Sequence, residues 1–225
     1  MMKVNGKKYT SIWIEERNRV FIIEQRWLPH QFKLIELVTL NDFLVAIKDM
    51  LVRGAPLIGV TAAFGFAKSM QYDNSDKSLL ETKSLLLSTR PTAVNLHWAV
   101  KIMFDLLINV YRDSREDIAL IKAKEILTRD ILSNKEIGKN GYEIIKNIID
   151  KKNTDKINIL THCNAGWLAT VDWGTATSPI YYSKEKGVNI HVFVDETRPR
   201  NQGALLTTWE LLHNDISHDL IVDNA

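Results

Sequence analysis

Apolar and polar residues alternate in blocks that change character part-way along the chain. Near the start, "SIWIEERNRVFIIEQRWLP" holds two runs rich in β-branched and aromatic residues around a polar Glu-Arg-Asn centre, which predicts a hairpin. Helical spacing then takes over. Thr39 or Asn41 is placed to cap a helix through "DFLVAIKDMLV". After "RGAP", a second helix is predicted through "LIGVTAAFGFAKSM". Its small residues Gly59, Ala62, Ala63 and Gly65 leave room for another backbone. Ser75 and Asp76 open a third helix that ends near Thr89, and Pro91 marks the start of a fourth through "TAVNLHWAVKIMFDLLINVY". Two more helices are expected, from Ser114 to about Leu132 and from Glu136 to about Ile149, with Gly138 and Gly141 weakening the second.

The polar run "DKKNTDK" breaks this series, and the period then shortens. Strands "INILTHC", "NIHVFVDE" and "DLIVDNA" alternate with helices "GTATSPIYYSKEKG", closed by Gly187, and "GALLTTWELLHND". Two successive β-α-β units require a parallel sheet with right-handed crossovers. The expected fold is therefore α/β: an N-terminal hairpin and helical domain over 1–150, then a Rossmann-like parallel α/β domain over 151–225.

Composition narrows the function classes. With 225 residues and 45% hydrophobic content the chain has enough apolar material for a substantial core. A net charge of +2 gives no electrostatic reason to expect nucleic acid or an anionic membrane as partner. The longest apolar run, "APLIGVTAAFGFA", is too short to span a bilayer. The start, "MMKVNGKKYT", lacks the apolar stretch of a signal peptide, and a single cysteine cannot form an internal disulfide. These features fit a cytoplasmic setting. The six histidines show no close ligand spacing with Cys or carboxylates, and there is neither a dinucleotide glycine fingerprint nor a phosphate-cradling loop. No metal and no cofactor are called for.

Ligands of open α/β sheets bind at the carboxyl ends of the strands. The three strands deliver His162, Cys163 and Asn164, then Asp195, Glu196 and "TRPRNQG", then Asp223 and Asn224 to that edge. Cys163 fits two roles there: a small buried hydrophobe, or a nucleophilic thiol whose anion a following helix N-terminus would favour. His162, on an alternating strand, reads as packed or hydrogen-bonded. Asp195 and Glu196 can pair with Arg198 or Arg200. Trp167 and Trp173 suit packing or a pocket wall. Arg53 and Arg90 both stand just ahead of helices, where a guanidinium and free N–H groups could hold phosphate; surface ion pairs are the other reading.

Four blocks decide between these alternatives. "VRGAPLIGVTAAFG", "TRPTAVNLHWA", "THCNAGWLATVDWGTA" and "VDETRPRNQGALLTTWEL", in this order and at these intervals, resemble the methylthioribose-1-phosphate isomerase family. The wider family includes ribose-1,5-bisphosphate isomerases and regulatory subunits of the translation initiation factor nucleotide-exchange complex. The resemblance implies aldose–ketose isomerisation of 5-methylthioribose 1-phosphate in methionine salvage, with Cys163 as catalytic thiol. Arg53, Gly54, Ala55, Arg90 and Gln202 would contact the sugar phosphate, and the enzyme would be a homodimer. Isomerisation of ribose 1,5-bisphosphate, or a non-catalytic regulatory role, are the alternatives. The resemblance also implies blocks beyond the third strand: a Gly-Ala-Asp segment carrying a general acid, then an Asn-Lys pair. Neither occurs in these residues. The chain is accordingly expected to be a truncated family member with little turnover, an unpaired sheet edge and uncovered apolar surface.

Overall fold

The computed structural model describes residues 2–225. The chain forms two compact units. One comprises Ile12–Arg26 and Lys33–Arg129. The other comprises the segment through Ser11, Trp27–Phe32 and Asp130–Ala225.

In the unit of Ile12–Arg26 and Lys33–Arg129, the expected hairpin is present. β3 (Ile12–Ile14) and β4 (Val20–Ile23) pair antiparallel, after the short hairpin β1 (Met2–Val4) and β2 (Lys7–Tyr9) of the other unit. Arg17 and Asn18 turn the β3–β4 chain with left-handed φ of 58° each. A strand the sequence pattern did not announce, β5 (Leu34–Leu37), adds to β4. Four helices follow: α1 (Leu40–Lys48), α2 (Ala55–Tyr72), α3 (Asp76–Thr89) and α4 (Val94–Leu107).

Thr39 caps α1 through a reciprocal pair with Asp42, and Ser75 caps α3 by accepting from Ser78 N. Pro91 lies in the turn ahead of α4 rather than in its first turn, and Ala93 takes the cap position. α2 is buried nearly all round; the expected close backbone approach is seen at Gly59, while Gly65 makes room for the Phe43 side chain. A Cβ at Gly59 would meet Asn95 O at 3.0 Å, and one at Gly65 would meet Phe43 Cβ at 2.9 Å.

α5 (Arg115–Lys152) is one continuous helix of 38 residues, not two. Gly138 and Gly141 do not break it. They make space for the next helix, α6 (Ser178–Glu185): a Cβ at Gly138 would meet Ser178 Oγ at 2.5 Å, and one at Gly141 would overlap Pro179. The compact units divide inside α5, between Arg129 and Asp130.

In the remaining unit, β6 (Lys156–Thr161), β7 (Asn189–Asp195) and β8 (Ser217–Ile221) form the expected parallel sheet in the order β6-β7-β8. Ile190, Val192 and Val194 fill its covered face. Leu160, Leu220 and Val222 are each more than half exposed. Gly187, at φ 82°, closes α6. The last helix opens with a π-helical stretch, Gly203–Thr207, that runs into α7 (Thr208–His213). Among the described residues, no helix is long and apolar enough to cross a membrane.

Candidate active site

The carboxyl ends of β6, β7 and β8 gather the polar residues that the strand pattern placed there. Cys163, two residues past β6, is half-buried and sits at a left-handed φ of 66°. Three hydrogen bonds hold it. Its N–H donates to Thr197 Oγ1 at 2.8 Å, its carbonyl accepts from Thr207 Oγ1 at 2.8 Å, and its thiol reaches Gln202 Oε1 at 3.4 Å. Two of the residues expected at the site, Cys163 and Gln202, are therefore in direct contact. Gln202 gains its place from the π-helical stretch that begins at the next residue, an irregularity often found where a helix serves a site.

The loop after Cys163 differs from the expectation. Only a single 3₁₀ turn, Trp167–Ala169, follows it, and α6 starts at Ser178. The thiol does not lead directly into a helix. The amides of Trp167 and Leu168, which a helix start would aim at an anion, donate instead to the buried carboxylate of Glu210, each at 3.0 Å. Asn164 Nδ2 also donates to Glu210, at 2.9 Å, and Tyr181 Oη does so at 2.9 Å. Burial pushes the Glu210 carboxyl up to about 7, against the pull of these four donors. The Tyr181 hydroxyl is raised well above its ordinary value, by burial first and then by Glu210. Trp167 is fully buried, 6.1 Å from Trp209 ring to ring, so it packs beneath the loop rather than walling a pocket.

On the neighbouring strand tips, exposed His162 pairs through Nδ1 with Asp195 Oδ2 at 2.9 Å. Asp223 accepts from Thr197 N at 2.7 Å and Arg198 N at 2.8 Å, and these amides, Arg198 first, hold its carboxyl below the usual range. His162, Asp195 and Asp223 present ligand atoms within 4.8 Å of one another. Sequence spacing could not show this, because the three residues stand at the tips of three different strands. Within the group, His162 bonds to Asp195, while Asp223 is tied to the 197–198 backbone.

Arg53, Gly54 and Ala55 lead into α2, with Gly54 as cap at φ 85° and Pro56 in the first turn. Arg90 follows the last residue of α3, four residues ahead of α4. Because Gly59 lies against Asn95, the first turns of α2 and α4 pack side by side. The two arginines thus precede neighbouring helix N-termini, both half-buried, in a setting suited to an anion. They belong to the unit of Lys33–Arg129, whereas Cys163 and Gln202 belong to the other.

The model of the initiation factor 2 subunit family matches residues 51–225, from the Arg53 turn to the last residue. The chain belongs to this family. Among curated relatives, methylthioribose-1-phosphate isomerase of Cereibacter sphaeroides is 56% identical over 224 residues, covering 100% of this chain and 61% of the relative. The Escherichia coli protein of the same name is 50% identical over 226 residues, again covering 100% and 61%. The crystal structure of 5-methylthioribose 1-phosphate isomerase from Pyrococcus horikoshii superposes with a TM-score of 0.85 at 34% identity, over 97% of this chain and 61% of that one. Initiation factor eIF-2B subunit delta from A. fulgidus gives 0.83 at 33% identity, over 96% and 63%. The chain thus spans about three fifths of the length of these family members.

Residues that the sequence did not single out are Thr197, Thr207 and Glu210. All three act on the Cys163 loop from the β7–α7 connection and α7, and only the crossover topology brings them there.

Proposed function

We propose that this chain carries the thiol and the phosphate-binding residues of an aldose–ketose isomerase. It would convert 5-methylthioribose 1-phosphate to 5-methylthioribulose 1-phosphate in methionine salvage. The observation that carries this reading is the Cys163–Gln202 contact at the carboxyl edge of the parallel sheet, in a chain half or more identical to relatives bearing that enzyme's name.

The chemistry asks for such groups. Phosphate on the anomeric oxygen prevents the ring from opening as a free sugar does. The ring oxygen must take a proton, and hydrogen must then move from C2 to C1. In this reading Cys163 works at the C1/C2 end, Gln202 orients it, and Arg53, Gly54, Ala55 and Arg90 bind the substrate through its phosphate. The family further suggests a homodimer in the cytoplasm, which sedimentation and fractionation would check.

Binding is the suitable readout, since the chain spans 61% of its relatives. Cys163 is the sole cysteine, so alkylation by iodoacetamide reports one site. 5-Methylthioribose 1-phosphate is expected to slow that alkylation at least about tenfold at saturation. The unphosphorylated sugar should not, and R53A or R90A should abolish the protection. Unchanged alkylation with saturating substrate sinks the proposal. Stronger protection by ribose 1,5-bisphosphate would reassign the substrate. The likeness to eIF-2B subunit delta favours a second reading, a non-catalytic subunit, in which no sugar phosphate protects Cys163.

A further inference from the structure

The loop that carries Cys163 has little regular structure of its own, and its polar groups converge on a side chain from another element. Glu210 Oε1 accepts from Asn164 Nδ2 and Leu168 N; Oε2 accepts from Trp167 N and Tyr181 Oη. Four donors use the capacity of an ionised carboxylate, in a place fully closed to solvent. The chain wraps it tightly enough that a Cβ at Gly166 would overlap Glu210 itself.

From this carboxylate a short relay reaches the thiol residue. Asn164 Nδ2, fixed by Glu210, also donates to Thr207 Oγ1 at 3.2 Å, and Thr207 Oγ1 donates in turn to the Cys163 carbonyl. On the other side the Cys163 amide is tied to Thr197. Cys163 is thereby held in a left-handed conformation that a non-glycine residue avoids without such restraint.

We propose that Glu210 is a positioning residue for Cys163: its carboxylate is the template on which residues 164–168 fold, and through Asn164 and Thr207 it fixes the direction of the thiol toward Gln202. The proposal rests on the isomerase reading for Cys163 being the reacting thiol, yet its consequence is a property of the thiol that needs no substrate. A purely space-filling role is a poor account of the site. An apolar side chain of similar volume would leave two backbone amides, an amide side chain and a phenol without their acceptor.

Glutamine separates the two roles. It has the shape of glutamate but replaces one acceptor oxygen with an N–H₂ group. Whichever way it turns, a backbone amide of Trp167 or Leu168 then faces a donor. The Tyr181 hydroxyl can rotate to adapt, and the backbone amides cannot. E210Q should therefore keep the fold and loosen the loop.

The test is the rate of Cys163 alkylation by iodoacetamide, read by intact mass, in the 225-residue chain without ligand. E210Q is expected to keep its circular dichroism spectrum and to alkylate about fivefold to tenfold faster, the size that loss of one buried hydrogen bond imparts. L211A serves as the control. It makes a cavity one residue along the same helix, destabilises the unit, and breaks no bond to the loop; its rate should stay within about twofold at a temperature where it is folded. Should E210Q not fold, N164A carries the test, since it cuts the relay and leaves Glu210 in place; it too should alkylate faster. A rate in the folded variant that is unchanged or slower, or an equal rise in L211A, overturns the proposal and leaves Glu210 a stability residue only. Failure of the sugar phosphate to protect wild-type Cys163 would strike the isomerase reading and leave this comparison of rates intact.

Discussion

Replacing Asp130 with asparagine tests whether a carboxyl buried beside the Cys163 unit's irregular loop burdens the fold with its charge. Asp130 lies on α5, and its Oδ2 accepts the Val171 amide at 2.7 Å. Burial raises its pKa to about 6; the Val171 amide and Asn134 oppose that rise, and the nearby charge of Asp172 adds to it. The unfolded chain ionises the same group near 3.8. Below pH 3.8 both states carry the proton, and the group costs nothing. Between 3.8 and about 6 the folded state holds more protons than the unfolded one, so stability falls as pH rises. Above about 6 both states are ionised and the full penalty is present, at most about 3 kcal/mol and nearer 2 after allowing for incomplete burial. Asparagine keeps an oxygen for the Val171 amide and has no charge to bury. D130N is therefore expected to exceed wild type by about 2 kcal/mol at pH 7.5 and to match it below pH 4. Urea unfolding of both proteins, followed by far-ultraviolet circular dichroism across that range, gives the difference at each pH. Taking the difference removes the acid sensitivity of Asp42 and Asp223, whose lowered pKa values affect both proteins alike. A D130N protein less stable than wild type at pH 7.5, or a difference that does not vary with pH, refutes the reasoning.

Other expectations concern local geometry. G141A should destabilise the chain by about 1–2 kcal/mol in urea, although alanine favours a helix by about 1 kcal/mol, because the added methyl overlaps Pro179 of α6; a gain in stability would show that the two helices can separate without penalty. T39A should lose about 1 kcal/mol by removing the reciprocal cap with Asp42, again read in urea. D223A frees the amides of Thr197 and Arg198 and should speed tryptic cleavage after exposed Arg200 several-fold, an effect absent if that loop is held by its other contacts.

Local chemistry made much of the fold legible. The caps at Thr39 and Ser75, the Arg17-Asn18 turn and the glycine after α6 all act through residues a few positions away, and a sequence window contains them. The three parallel strands were equally readable, since each is an apolar run bounded by polar tips. Misreadings arose where the deciding partner is distant. Gly138 and Gly141 look like helix breakers until Ser178 and Pro179 are seen against them. The polar run after residue 150 looks like a linker, yet α5 runs on into it as far as Lys152. Phe32, far ahead in sequence, belongs with the sheet unit, where its ring stacks on Trp209. β1, β2 and β5 are short, like β3 and β4, but lack the run of β-branched and aromatic residues that marked that hairpin. At the site, Cys163 stood out by residue type and Gln202 through the family resemblance, whereas Glu210 reads as one more polar position of an amphipathic helix.

The same distinction explains why the thiol loop looked like a helix start. Its small and polar residues, "NAGW", would suit a cap followed by free amides, and those amides do hold an anion. The anion is a carboxylate delivered by the next crossover rather than the thiolate. That substitution has a geometric consequence. A helix beginning at Cys163 would place the residue in ordinary backbone space, with its amide among the free donors. Here the loop amides turn inward to Glu210, and Cys163 is left at the crest in a left-handed conformation. Thr197 and Asn201, at φ 61° and 52°, share that conformation on the facing connection. Each such residue costs about 1 kcal/mol or more and persists only where neighbours over-determine it. The neighbours are present: Thr197 receives the Cys163 amide and donates its own to Asp223, while Asn201 accepts from Leu205 N. Strain on both sides of the Cys163–Gln202 contact is thus held by bonds from the turn after β8, from α7 and from the π-helical stretch. The thiol's direction depends on the closure of the whole β-α-β-α-β unit, and no shorter piece of the chain contains the bonds that set it.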